Sequence, residues 1–185
     1  MLRLTLDTSS VIHGAQAQQY RIEVDELVDL ARQGRVGLSI TTAFDNDQER
    51  APADKRQRNL DWLRRRPLIG TVPGGFRLDD SRLGIDTVLL STDQAAIAKT
   101  IDEILLPKAY QVGNLRADDA DAMARWRRKV NDVQHLVAHL IAGYDAFVTS
   151  DDDDMLKKQA ELRARTGIVV VGPTEAVQMA RGHAA

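Results

Sequence analysis

The sequence predicts an α/β protein, a three-layer α/β/α arrangement around a central parallel sheet. Three observations carry that expectation: strand-like runs alternate with helical stretches, the late runs Ala146 to Thr149 and Ile168 to Val171 are apolar on both faces, and no linker or repeat divides the chain. Strands that are apolar throughout belong in sheets covered on both sides, and strands joined through helices run parallel. The 185 residues are therefore read as one domain, 1–185.

Leu2-Arg3-Leu4-Thr5-Leu6 alternates apolar with polar and reads as the first strand, after which Asp7-Thr8-Ser9-Ser10 brings short side chains that favour loops and helix caps. Val24, Leu27, Val28 and Ala31 share one stripe of a helix from Ile22 to Gln33, with Gly34 as its stop. Val36 to Ile40 reads as a short buried strand, and Asp45-Asn46-Asp47-Gln48-Glu49 suits a helix N-terminus, where the helix dipole favours acids. An arginine-rich stretch from Arg50 to Arg66, around Leu60, Trp62 and Leu63, closes at Pro67. Between 68 and 91, Gly70, Pro73, Gly74, Gly75 and Gly84 interrupt short extended runs, so this segment is expected to be irregular. Helices follow from Gln94 to Leu106 and from Ala117 to Ala142, the second ended by Gly143. The strand Ala146 to Thr149, a helix from Met155 to Arg165 and the strand Ile168 to Val171 complete the alternation.

Composition excludes several functions. Lysine and arginine total 25 against 27 acids, a net charge of −2, so a polyanion could be held only by a local basic patch. The absence of cysteine rules out disulfides, a thiolate nucleophile and cysteine-ligated metals. The longest apolar stretch, Gly167 to Pro173, falls far short of the ~20 residues of a membrane helix. Met1 leads straight into a strand pattern in place of a signal peptide, so a cytoplasmic protein without a membrane partner is expected.

The carboxylates fall in a pattern. In a parallel sheet the loops at the carboxyl ends of the strands converge on one crevice. Asp7 and Asp151 lie at those ends of their strands, and Asp45 follows the second strand after a short loop. The helix holding Asp132 must run antiparallel to the strand it feeds, which brings its N-terminal half to the same edge. Four acids gathered there repel one another unless protonated or neutralised, and hard oxygen ligands of this kind suit magnesium or manganese. Taken singly, each aspartate also has a bland explanation as a turn or cap residue; four at one edge do not.

Leu6-Asp7-Thr8-Ser9-Ser10-Val11-Ile12 resembles the opening of a PIN-domain nuclease, in which an aspartate ends the first strand and a small polar residue follows two positions later. Asp132, Gly143 and Val148-Thr149-Ser150-Asp151 resemble that family's second half, and Gly167 to Pro173 with Glu175 resembles its closing strand. The resemblance implies a PIN-like fold and a metal-dependent endoribonuclease of toxin or RNA-processing type. In that reading Asp7, Asp45, Asp132 and Asp151 are the catalytic acids and metal ligands, Asp153 is an auxiliary acid, and Ser9 and Thr149 orient carboxylates or waters. The family usually places a glutamate where this chain has Asp45, with Asp47 and Glu49 nearby. Two Mg2+ or Mn2+ ions ~4 Å apart would hold the phosphate and activate a water. The expected partners are RNA, single-stranded or structured, a protein inhibitor and a second copy of the chain.

Arg125-Trp126-Arg127-Arg128-Lys129 precedes Asp132 directly, and Arg125, Arg127, Arg128 and Lys129 are the candidate RNA contacts; a solvated helix face with Trp126 inward is the equal alternative. His135 and His139, three and seven residues after Asp132, read foremost as histidines bordering the core. Two other functions compete: a PIN-like scaffold with little catalysis that binds RNA or protein, and an aspartyl-nucleophile phosphatase. The phosphatase typically requires Asp-x-Asp, and Ser9 fills the third place here.

Overall fold

The computed structural model describes residues 1–75, 87–106 and 119–183. Five strands form one all-parallel sheet in the order β3-β2-β1-β6-β7: β1 (Leu2–Leu6), β2 (Val36–Thr41), β3 (Leu68–Val72), β6 (Ala146–Val148) and β7 (Val170–Val171). Helices cover both faces, so the expected three-layer α/β/α architecture is present. One layer holds α1 (Thr8–Ala15), α2 (Arg21–Arg32), α4 (Ala53–Arg64) and α8 (Pro173–Gly182), which bury Val11, Val24, Leu27, Trp62 and Val177 against Leu4, Leu6 and Leu38. The other holds α5 (Thr92–Leu105), α6 (Ala120–Ala142) and α7 (Gln159–Thr166), which bury Ile101, Leu105, Leu136 and Leu162 against Phe147 and Val170. The short helix α3 (Ala43–Arg50) packs on α6 beyond the end of β2.

The alternation in β1 has an unexpected cause. Arg3 faces water, but Thr5 of β1 does not: with Ser39 and Thr41 of β2 it is fully buried under α6. Buried hydroxyls need partners. Thr5 Oγ1 lies 2.8 Å from His139 Nδ1 and Thr41 Oγ1 lies 2.7 Å from His135 Nδ1, so the two histidines of α6 complete the polar face of the sheet. At the far end of α6, Gly143 adopts φ 59°, a left-handed conformation that glycine takes without strain, and ends the helix. Asp145 then accepts from the Arg3 backbone N–H at 2.7 Å, which ties the start of β6 to β1.

After β1 the Asp7 side chain caps Thr8 N–H and the chain enters α1 at once. Other expectations change. Part of the segment expected to be irregular is regular: β3 adds an edge strand to the sheet, with a register shift beside Ile69, and β4 (Gly74–Gly75) pairs with β5 (Thr87–Val88). The remainder of that segment, 76–86, lies outside the described residues, as do 117–118 at the expected start of the long helix, which begins at Ala120 behind an Asp119 cap. The helix expected from Met155 begins only at Gln159, after a run of turns. Among the described residues no helix is long and apolar enough to cross a membrane.

Candidate metal centre at the carboxyl edge of the sheet

From β1 the chain steps outward through β2 and β3, then returns to the other side of β1 as β6 and β7. The connections leaving β1 and β6 therefore diverge, and open sheets bind ligands in the gap this leaves. A cavity of ≈ 490 Å³ lies there. Asp7, Thr8 and Ser9 line it from the end of β1, Asp47 from α3, Asp132 with Arg125, Arg128 and Lys129 from α6, and Asp151, Asp153 and Asp154 from the loop after β6.

Asp7 is held from three sides. Its Oδ1 accepts from Thr8 N–H at 2.7 Å, and its Oδ2 accepts from Ser9 Oγ at 2.7 Å and Thr149 Oγ1 at 2.8 Å. Ser9 and Thr149 thus touch Asp7 as orienting groups would. Thr149 also accepts from Asp151 N–H at 3.1 Å, which fixes the loop that carries the next acid.

Asp151 Oδ1 accepts from the backbone N–H of Asp153 at 3.1 Å and of Asp154 at 3.2 Å. This Asx turn folds the aspartate run back on itself. As a result Asp154 comes beside Asp151, while Asp153 points out to the rim and pairs with Lys157 at 3.0 Å. Carboxylate oxygens of Asp132, Asp151 and Asp154, one from each, lie within 4.8 Å of one another.

Asp132 reaches the cavity from the middle of α6. Residues 125, 128, 129 and 132 are spaced i, i+3, i+4, i+7 and share one helix face, so the three cations and Asp132 line the same wall. Arg127 falls off that stripe and is exposed elsewhere, and Trp126 is buried, so neither joins the cavity. Among the described residues Asp132 accepts no hydrogen bond and makes no ion pair. Burial, reinforced by the charges of Asp7 and Asp151, pushes its carboxyl up to about 8. Burial likewise raises Asp151 above the ordinary carboxylate range.

The acid from α3 is Asp47, not Asp45. Asp45 is exposed and does not line the cavity, whereas Asp47 Oδ2 accepts from Thr8 Oγ1 at 2.7 Å and lies 3.2 Å from His135 Nε2. Two residues along a helix turn the side chain by about 200°, so only one of the pair can face inward. His135, read from the sequence foremost as a core histidine, is fully buried and also touches this acid, whereas His139 is a core residue satisfied by Thr5. For Asp154 the sequence offers only the run of four aspartates as a signal, and the turn that selects it depends on backbone geometry.

The donor set fits a small hard cation: clustered carboxylate oxygens, one of them on an unpartnered and strongly perturbed acid. A search for matching family models and for similar curated proteins found none.

Proposed function

We propose that the chain is a PIN-like, metal-dependent endoribonuclease that hydrolyses RNA phosphodiester bonds, with magnesium or manganese as its ion. The observation that carries this reading is Asp132, a carboxyl without a protein partner that faces Asp151 and Asp154 across a polar cavity. A divalent ion held by these acids would supply a Lewis acid that polarises the phosphate and lowers the pKa of a water. The chain's own residues account for the rest. Ser9 and Thr149 fix Asp7 at the floor, and Arg125 and Arg128 offer guanidinium groups for the phosphates of single-stranded or structured RNA. The order Asp7-x-Ser9, Asp132, Thr149-x-Asp151 supports the PIN assignment, with a cytoplasmic setting, a protein inhibitor and a second copy of the chain as the associations that go with it.

The test is cleavage of 5′-labelled single-stranded RNA in manganese, with and without chelator. Fragments should carry 5′-phosphates, and RNA methylated at the 2′-oxygen should still be cut, because water and not the ribose hydroxyl attacks. Cyclic phosphate ends would overturn the mechanism. A second reading, a binding scaffold without catalysis, draws on the pairing of Asp47 with His135 and of Asp154 with Lys129, which already neutralises two of the acids. RNA bound in manganese but left intact would favour it.

A further inference from the structure

Lys129 stands on the wall of α6 one turn before Asp132, and its ammonium pairs across the cavity with Asp154. The contact spans the crevice, joining the long helix to the loop after β6. Asp154 is also one of the three acids, with Asp132 and Asp151, whose oxygens come together. The same carboxylate is therefore claimed by a tethered cation and by the place where a free cation would sit. Lys158 lies 3.8 Å from the other Asp154 oxygen, so Asp154 keeps a positive neighbour on its outer side when Lys129 lets go.

We propose that Lys129 is a built-in counter-cation which a divalent ion displaces from Asp154, and which then serves the phosphate together with Arg125 and Arg128. The inference rests on the metal-centre reading above and deepens it by coupling the ion to the substrate. Two observations support the switch. The Lys129 side chain is about one-fifth exposed, so its head group can move to the cavity mouth without breaking the core. It also shares its helix face with Arg125 and Arg128, so release adds a third cation to a wall that already carries two. An ion and an ammonium cannot both take the Asp154 oxygen at full strength. By linkage, a polyanion that draws Lys129 away must strengthen the ion, and the ion must strengthen the polyanion by the same factor.

The experiment is manganese titration by calorimetry on the full chain, with no RNA present, in a double-mutant cycle. Lys129→Met should tighten manganese about fivefold in the otherwise unaltered protein and less than twofold in the Asp154→Asn background. A gain of equal size in both backgrounds would show only the field of one removed charge and would overturn the displacement. A second measurement uses oligo-deoxythymidine, which lacks the 2′-hydroxyl, as a polyanion probe. It should tighten manganese in the unaltered protein and lose most of that coupling in Lys129→Met. Manganese binding that Lys129→Met leaves unchanged sinks this inference while sparing the metal centre; no manganese binding in any variant sinks the metal centre itself.

Discussion

His135 Nε2 lies 3.2 Å from Asp47 Oδ2, which joins the long helix α6 to the short helix α3 behind the carboxylate cavity. The two groups shift each other in opposite directions. Burial alone would lower the His135 pKa, but the hydrogen bond to Asp47 and the charges of Asp7, Asp47 and Asp132 outweigh it and raise it. Burial alone would raise Asp47, but His135, Thr8 and Arg50 outweigh it and lower it. The pair thus favours the protonated imidazole beside the ionised carboxylate, and the ring is anchored on its other side by Thr41.

Asp47→Asn should therefore destabilise the fold. The amide keeps the shape but removes the carboxylate that pairs with His135 Nε2, leaving Asp7 Oδ1 at 3.7 Å as the remaining anion there, a loss of about 1–3 kcal/mol. The depressed Asp47 stabilises above its unfolded pKa and loses this as pH falls; the raised His135 stabilises below its unfolded pKa and loses this as pH rises. The pair's contribution should be greatest at about pH 4 to 6.5, between the two unfolded values. Urea unfolding of Asp47→Asn and Asp45→Asn across that range checks it, and equal losses for the two variants would contradict the placement of Asp47.

Asp132 should release a proton when manganese binds. Its carboxyl is raised to about 8, so at pH 7 the ion must displace hydrogen to gain an oxygen. Calorimetry in buffers of different ionisation enthalpy should register close to one proton at pH 6.5 and little above pH 9. Asp132→Asn should weaken binding by tenfold or more, about 1.4 kcal/mol. Binding heats independent of the buffer would refute this.

The sheet was legible because its late strands are apolar on both faces and its helices carry clear stops such as Gly34 and Gly143. Asp7, Asp132 and Asp151 were legible as well, since strand ends and helix direction alone send them to one edge. What stayed hidden depends on rotation and on tertiary partners. The phase of a two-turn helix decides between Asp45 and Asp47, and no hydrophobic period is long enough in α3 to set it. The alternation in β1 does not reveal that the Thr5 hydroxyl is buried, because its partner, His139, comes from α6, far away in the chain. β3 was masked by Gly70 and the Pro73-Gly74-Gly75 run, which read as loop although the preceding residues pair with β2.

His139 should make the protein sensitive to acid. Burial holds its pKa down at about 4, only partly opposed by Asp145, and it faces Thr5 and the edge of Phe147 with His135 one turn away on the same helix. A histidine that is neutral in the fold and charged when unfolded stabilises fully above about pH 6.5 and loses this as pH falls towards 4. The slope from one such group is at most about 1.4 kcal/mol per pH unit. His139→Asn should be less stable at pH 7 yet flatter between pH 6.5 and 4, as urea midpoints would reveal. Parallel curves for the two proteins would remove His139 as the cause.

The last expectation concerns how a chain of net charge −2 would hold the proposed polyanion. Attraction must be local, and of the four basic residues before Asp132 only Arg125, Arg128 and Lys129 line the cavity. At ~1.5 Å rise per residue, positions three to seven residues from Asp132 lie about 5 to 11 Å along the helix axis, the span of one or two nucleotides. Arg127 is as close in sequence but lies off that helix face. Arg125→Gln with Arg128→Gln should therefore weaken RNA binding and flatten its salt dependence, since each lost phosphate contact lowers the slope of log K against log salt by ~0.7 for a single strand. Two lost contacts lower it by about 1.4. Arg127→Gln should change neither, and manganese affinity should stay within about threefold in both variants because the acids remain. Fluorescence anisotropy of a labelled single-stranded RNA between low and moderate salt reads both quantities. Should Arg127→Gln match the double variant, or the double variant leave the slope unchanged, the RNA would follow another path, with Arg64 to Arg66 at the end of α4 as the next cations to neutralise.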